Sequence, residues 1–285
     1  MNFKRFVSSE LDIKSIYHLL ISGIAPRPIA LVGSIDKDGV SNLAPFSFFN
    51  AFGANPPILG FSPALSGRTG LPKDTLLNIR DTKEFTVSIV NSNIVEQISL
   101  SSCEFKRNID EFDKTGLSKL DSKIINPFGV TESNFIMECK LYDIIELGNK
   151  PASGNLILGE VVMFHVKESI INNDNVIDPY KLDAIARNGG SWYTKSNEGL
   201  FEIKKPKDIG IGFDSLPEII LKSDLTGNEL AKLASINKKP QYCIDAKYKK
   251  FNKNQLISSI KSHIKNNNID EAWNIALYLQ EIYEK

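Results

Sequence analysis

Pro26-Arg27-Pro28-Ile29-Ala30-Leu31-Val32-Gly33-Ser34-Ile35 begins the stretch that decides the fold, residues 26–91. Residues 29–35 are mostly apolar and predict a strand. The Asp38-Gly39 pair that follows is typical of a tight turn, because both residue types tolerate positive φ. Residues 40–44 are therefore expected to return as the antiparallel partner strand.

Four more segments have the pattern of strands. Residues 58–62 form a short apolar run, and residues 84–90 alternate polar and apolar side chains at period two. Two longer candidates span about 134–147 and 156–167, and the second is rich in β-branched and aromatic side chains. Strands at short spacing, joined by hairpin turns, predict a closed or partly closed antiparallel barrel. Periodicity alone does not distinguish this barrel from several other kinds.

The character of the sequence changes beyond about residue 205. Residues 226–234 begin like a capped helix, and residues 254–265 and 270–283 each place apolar side chains on one face at helical spacing. The asparagine turn between the last two segments predicts a helical hairpin. We therefore predict two domains, residues 1–205 and a helical C-terminal extension over residues 206–285.

The overall composition excludes several classes of partner. The 285 residues include 34 acidic and 34 basic side chains, so no global charge attracts nucleic acid. No apolar run approaches the ~20 residues that span a bilayer, and residues 1–6 lack the apolar core of a secretory signal. We therefore expect a cytoplasmic protein that binds neither nucleic acid nor membrane.

Cysteines and histidines form no metal or disulfide motif in this sequence. Both residue types are scattered, at Cys103, Cys139 and Cys243 and at His18, His165 and His263. The sequence also lacks a Gly-x-Gly-x-x-Gly turn after a strand, a Walker lysine loop and a Gly-x-Ser-x-Gly elbow. No metal, Rossmann or P-loop site is therefore predicted.

The loop of residues 66–75 carries the donors that an anion requires. Ser66-Gly67-Arg68-Thr69 supplies a cation and hydroxyls, and Lys73-Asp74-Thr75 follows at the expected start of a helix. Backbone amides at a helix N-terminus, together with Lys, Arg, Ser or Thr side chains, bind phosphate. The alternative is an ordinary capped surface helix with a solvated lysine, and this segment alone leaves both interpretations open.

A second candidate is Asn42-Leu43-Ala44-Pro45-Phe46-Ser47-Phe48-Phe49-Asn50, where polar residues lie among three phenylalanines. Buried polar groups need hydrogen-bond partners. The phosphate or ring amide of a ligand would satisfy Ser47 and Asn50. The alternative is that both side chains satisfy backbone groups at a bulge or turn.

A third candidate comes late, at Ala186-Arg187-Asn188-Gly189-Gly190-Ser191-Trp192-Tyr193. Paired glycines let the backbone approach a ligand closely, and Arg187 and Tyr193 would then cover that ligand. The alternative is a flexible loop with one aromatic side chain anchored on the core.

A lysine-rich stretch follows at residues 247–253, with Tyr248 and Phe251 among the lysines. Because the chain has no net charge, we interpret this stretch as a solvated linker and not as a nucleic-acid site.

The order of these motifs over about residues 10–200 resembles the flavin reductase-like family of FMN-binding split barrels. The resemblance rests on Pro-Arg-Pro, Asn-x-Ala-Pro-Phe-Ser-Phe-Phe-Asn, Lys-Asp-Thr-x-x-Asn-Ile and Ala-Arg-x-Gly-Gly-x-x-Tyr in that order. It implies a mainly β protein with peripheral helices, built on a six-stranded antiparallel split barrel of Greek-key type, followed here by the helical hairpin. It also implies a homodimer with FMN near the subunit interface.

By the same resemblance, the cofactor-binding residues are Arg27, Pro28, Asn42, Ser47, Asn50, Arg68, Lys73, Thr75, Asn78, Arg187 and Tyr193. Ser47 and Asn50 would lie beside the flavin. Arg68, Lys73 and Thr75 would hold its phosphate or ribityl chain, with Asn78 close by. Arg27 and Pro28 would form part of the pocket wall, and Arg187 and Tyr193 would belong to a segment that closes over the cofactor.

The implied function is an FMN-binding oxidoreductase, an NAD(P)H-dependent flavin reductase with NADH or NADPH as co-substrate. FMN accepts the hydride, so the protein supplies position and electrostatics and no catalytic side chain is predicted. A partner oxygenase or electron-transfer protein would take the reduced flavin or its electrons. Two alternatives stay open: a flavoredoxin-like electron-transfer protein, and a flavin-binding interaction or sensor module that works through the helical extension.

Overall fold

A computed structural model describes residues 2–203 and 209–283 of the chain. The chain divides into two compact units, Met1–Leu200 and Phe201–Lys285. Within the described residues, none of the helices combines the length and the apolar character needed to cross a membrane.

A seven-stranded antiparallel sheet dominates the first unit. Its strands, in spatial order, are β3 (Ser41–Phe46), β2 (Ala30–Ile35), β6 (Glu84–Ile89), β9 (Phe135–Glu146), β10 (Asn155–Val166), β5 (Pro57–Phe61) and β4 (Phe49–Ala54). A small three-stranded sheet contains β1 (Arg27–Pro28), β11 (Ile185–Arg187) and β12 (Tyr193–Lys195). A two-stranded sheet contains β7 (Lys119–Leu120) and β8 (Gly129–Val130). The helices of this unit are α1 (Ile13–Gly23), α2 (Asp74–Thr82), α3 (Val95–Ser101), α4 (Glu111–Thr115) and α5 (Pro179–Leu182).

The predicted strands are confirmed, but the main sheet differs from the predicted six-stranded barrel. It has seven strands in the described residues, because the chain bends at residues 47–48 and residues 49–54 continue as a separate strand on β5. Strands β3 and β4 form its two edges, and no hydrogen-bonded closure between them occurs in the part of the chain that is described. The whole chain is mixed α/β, with a large antiparallel sheet and a C-terminal helix pair.

The hairpin of β2 and β3 forms for the reason that the sequence indicates. Gly39 has φ +83°, and the Asp36 carboxylate accepts hydrogen bonds from the amides of Asp38 and Val40 at 2.9 and 2.8 Å. Strand β2 then alternates its side chains between two apolar clusters, as the pleat requires. Val32 belongs to the cluster that includes buried residues of α2, and Leu31 belongs to the one that includes α3 and α4. The sheet is therefore covered on both faces in this region.

Glu138 on β9 is fully buried and holds a loop onto the sheet. Its carboxylate accepts the backbone amides of Lys123, Ile124 and Ile125 at 2.7, 2.7 and 3.2 Å, and the Nε2 atom of His165 lies 2.6 Å away. Burial alone would raise the pKa of this carboxyl, but these hydrogen bonds outweigh it and lower the pKa. The alternating pattern of the strand does not reveal this role.

The second unit is helical and has its own core. It contains α6 (Glu218–Leu221), α7 (Gly227–Ala234), α8 (Lys253–Lys265) and α9 (Ile269–Tyr283). Capping boxes start α7 at Thr226 and Glu229 and α8 at Asn252 and Gln255. Trp273 is completely buried, and its Nε1 donates a hydrogen bond to the carbonyl oxygen of Leu233 at 2.9 Å. The predicted pair of C-terminal helices is confirmed.

The interpretation of residues 247–253 as a solvated linker is wrong. Residues Ala246–Lys250 form a short 3-10 helix, capped by the side chain of Asp245. Tyr248 is only 3% exposed, and its hydroxyl lies 2.8 Å from Nε2 of His263 on α8. The lysines face solvent because the tyrosine between them anchors the turn in the core of the helical unit.

Candidate functional site

An open cavity of about 940 Å³ lies beside the start of α2 in the first unit. Three parts of the chain form most of its wall: strand β3 from Asn42 onward, the loop of residues 64–75 and residues 101–105 at the end of α3. Along β3 the wall runs from Asn42 to Phe46, a distance of about 13 Å at the usual rise of a strand. Ala44, Pro45 and Phe46 make this wall largely apolar.

The start of α2 contributes unpaired donors to the cavity. Lys73, Asp74 and Thr75 all line it. The N-cap residue Lys73 makes no side-chain capping bond. The amide of Leu76 donates to the carbonyl oxygen of Lys73 at 3.0 Å, but the amides of Asp74 and Thr75 have no acceptor in the described structure. These amides carry the positive end of the helix dipole, so this end of the cavity suits an anion.

Two cations stand beside these amides. Arg68 and Lys73 line the cavity, and both lie near the carboxylate of Glu104, which lines it from the segment after α3. Arg68 Nη2 donates a hydrogen bond to Glu104, and Lys73 Nζ lies 4.0 Å from Oε1 of the same residue. The side chain of Arg68 is 77% exposed and that of Lys73 is 45% exposed, so both can turn toward a ligand.

Buried hydrogen bonds fix the start of α2 to the β2–β3 hairpin. The Oδ1 atom of Asn42 accepts from Thr75 Oγ1 at 2.8 Å and from Ser34 Oγ at 3.2 Å, and Asn78 Nδ2 donates to Ser34 Oγ at 3.2 Å. Arg107 continues this network with a hydrogen bond from Nη2 to Asn78 Oδ1 at 3.1 Å. Of the predicted residues, Thr75 therefore bonds Asn42 directly and Asn78 is linked to Asn42 through Ser34, and together they position the anion donors.

Glu111 also lines the cavity and supports the same network. It is 7% exposed and accepts hydrogen bonds from Asn42 Nδ2 at 3.1 Å and from the amide of Leu43 at 2.9 Å. Burial raises the pKa of this carboxyl, and the two hydrogen bonds oppose that rise. Glu111, Ser34 and Arg107 were not predicted, because each belongs to a different segment and no local motif marks it.

Ser47 lies at the bend between β3 and β4 and Asn50 lies on β4, and neither is in the wall of the cavity. Asn50 is exposed, and its Oδ1 atom accepts the amide of the next residue, Ala51, at 2.9 Å. This is the local backbone role that the sequence left open for Asn50. The assignment of both residues beside a flavin stays a prediction.

Arg27, Pro28, Arg187 and Tyr193 gather in the small sheet β1-β11-β12, outside the cavity wall. The guanidinium of Arg187 lies 4.5 Å from the ring centre of Tyr193, and Pro28 is exposed. The role of these four residues in cofactor binding stays a prediction.

The structure gives Arg27 a specific task within the fold. Its side chain is buried and donates hydrogen bonds to the carbonyl oxygens of Ile21, Ile24 and Asn188. Burial lowers the pKa of this guanidinium. Arg27 thus joins the end of α1 to the turn after β11.

No group of three His, Cys, Asp or Glu side chains in the described residues is placed to hold a metal ion.

Comparison with known proteins identifies the family. The model of the flavin reductase like domain matches residues 22–179, more than half of the chain. The chain belongs to the flavin reductase-like family. An uncharacterized protein of Aquifex aeolicus is 35% identical over 191 residues, which is 67% of this chain and 95% of that protein.

Two solved structures are similar to this chain in both sequence and fold. Component B of nitrilotriacetate monooxygenase from Bacillus cereus is 35% identical with a TM-score of 0.67, over 71% of this chain and 100% of that one. The 2-nitrobenzoate 2-nitroreductase of Pseudomonas fluorescens is 28% identical with a TM-score of 0.65, over 73% and 100%. Part of this flavin reductase-like chain thus has no counterpart in either protein.

Proposed function

We propose that this chain is an FMN-binding oxidoreductase, a flavin reductase that takes its hydride from NADH or NADPH. The observation that carries the proposal is the cavity at the start of α2, which has no side-chain cap, with Arg68 and Lys73 in the cavity wall. The family to which the chain belongs typically binds FMN.

The residues of the cavity fit the chemistry of FMN. A phosphate dianion needs charged donors and backbone amides, which Arg68, Lys73 and the first turn of α2 supply. A flat ring needs an apolar wall, which Ala44 to Phe46 supply along β3. When bound, FMN supplies the site that accepts a hydride.

The chain itself would contribute binding, orientation and exclusion of water. The bonds of Thr75 and Asn78 to the β2–β3 hairpin hold the anion donors in place, and Phe46 limits access of water along the ring wall. Phe46 is itself held by Phe61, whose ring centre lies 5.2 Å away. Hydride transfer needs no acid–base side chain from the protein, so positioning accounts for the expected catalysis.

One similar protein is named as component B of nitrilotriacetate monooxygenase. A component works with at least one other protein, and this similarity supports a partner protein for this chain. We propose that reduced flavin, or its electrons, pass to an oxygenase. A flavoredoxin-like carrier fed by another protein, and a sensor working through the helical unit, are the alternatives that the following experiment separates.

We expect anaerobic addition of NADH or NADPH to bleach the flavin absorbance of the FMN-loaded protein rapidly. The faster nucleotide would be the donor. A bound flavin that stays oxidised with both nucleotides would contradict the reductase and favour the carrier or the sensor. Reduction of that flavin by a reduced electron-transfer protein would then select the carrier.

We also propose that the chain forms a homodimer. Helix α1 carries a row of exposed apolar side chains at helical spacing, among them Ile13, Tyr17 and Leu20, which are 47–60% exposed. Such an exposed apolar row indicates an interaction surface. Light scattering should give twice the chain mass of 31.8 kDa, and a monomer across the micromolar range would contradict the proposal.

A further inference from the structure

One acidic side chain binds both cations of the proposed phosphate site. Glu104 lies in the segment after α3 and lines the cavity. Its Oε2 atom accepts a hydrogen bond from Arg68 Nη2, and its Oε1 atom lies 4.0 Å from Lys73 Nζ. The Glu104 side chain is 58% exposed, so solvent surrounds much of this carboxylate.

A flavin phosphate and the Glu104 carboxylate require the same donors. Both are anions that bind Arg and Lys through charge-assisted hydrogen bonds. With both present, the two negative charges would lie within a few ångströms of each other and repel. Glu104 does not contact the amides of α2 in the described structure, so a phosphate gains the helix start as well as the two cations.

The carboxylate is also easy to displace. Ion pairs between exposed side chains contribute little to stability, because water screens the charges and ordering two long side chains costs entropy. Arg68 and Lys73 are themselves partly or largely exposed. An entering phosphate therefore meets a weak competitor and not a buried, permanent ion pair.

We propose that Glu104 is an internal competitor for the flavin phosphate, and that it keeps a phosphorylated flavin exchangeable at this site. The inference rests on the proposed FMN site. It adds a residue that lowers the affinity for FMN and leaves the affinity for a flavin without phosphate unchanged. Glu104 thereby reduces the difference in affinity between FMN and a flavin without phosphate, and it speeds the release of FMN.

The test is the affinity of the full chain carrying Glu104→Gln for FMN and for riboflavin, which lacks the phosphate. Glutamine keeps the size of the side chain and removes its charge. We expect FMN affinity to rise about threefold to tenfold, because Glu104 competes for two cations and one exposed ion pair is worth up to about fivefold. FMN release should slow correspondingly. Riboflavin affinity should stay within about twofold of the wild type, since it makes no phosphate contact.

Glu96→Gln is the matched control, because Glu96 is an exposed acid on α3 outside the cavity wall. It should leave both affinities unchanged. Unchanged or weaker FMN binding in Glu104→Gln would overturn the inference, as would an equal rise for riboflavin and FMN. If no variant and no wild-type protein bound either flavin, the proposed function itself would fail, and the inference with it.

Discussion

Replacing Lys73 with alanine is expected to weaken FMN binding about tenfold to hundredfold, the usual worth of a hydrogen bond to a charged group. Lys73 is the N-cap residue of α2 and lines the cavity beside Arg68. Its removal takes one positive charge from the proposed phosphate site. Riboflavin binding should change little, because riboflavin has no phosphate for this lysine to bind.

The measurement is quenching of flavin fluorescence during titration of each variant. Lys14→Ala is the control, since Lys14 is an exposed lysine on α1 and does not line the cavity. It removes the same charge and should leave both affinities unchanged. Equal loss for FMN and riboflavin in Lys73→Ala would show that the lysine acts on the ring or on the fold, against the phosphate role.

Replacing Glu138 with alanine is expected to lower the free energy of unfolding by about 3–5 kcal/mol, the cost of leaving buried partners of a charge unpaired. The carboxylate is fully buried and accepts three backbone amides of residues 123–125. Alanine would leave those amides without an acceptor and open a cavity next to His165.

Urea denaturation followed by circular dichroism measures this loss. Glu160→Ala provides the control, because Glu160 is a half-buried acid on the neighbouring strand β10 whose side chain makes no hydrogen bond or ion pair in the described structure. We expect its unfolding energy to change by less than about 1 kcal/mol. The same small change in Glu138→Ala would refute the role given to the buried carboxylate.

Local signals were enough to predict much of the fold. The turn at Asp38-Gly39 and the alternation of residues 84–90 depend on neighbours in the sequence. The β2–β3 hairpin and strand β6 are present as predicted. The extra strand β4 was missed, since residues 49–54 contain Gly53 and exposed positions and lack a clear alternation. The burial of Tyr248 was not predicted, because it is a single apolar residue among exposed lysines and forms no periodic pattern.

The candidate site was predictable only in part, for a related reason. The donors of residues 66–75 are adjacent in the sequence, so their joint presence at a helix start could be anticipated. The bonds from Asn42 to Thr75 and Glu111 connect three distant segments, and no spacing rule reveals them. Likewise, nothing local indicates that Glu104 meets Arg68 and Lys73 across the cavity.

The most direct test of the account is a titration of the wild-type chain with FMN and with riboflavin, each repeated in the presence of inorganic phosphate. We predict that FMN binds with a single site per chain and more tightly than riboflavin, and that phosphate competes with FMN but not with riboflavin. Equal affinity for the two flavins, or no binding of either, would contradict the claim that the start of α2 holds the phosphate of FMN.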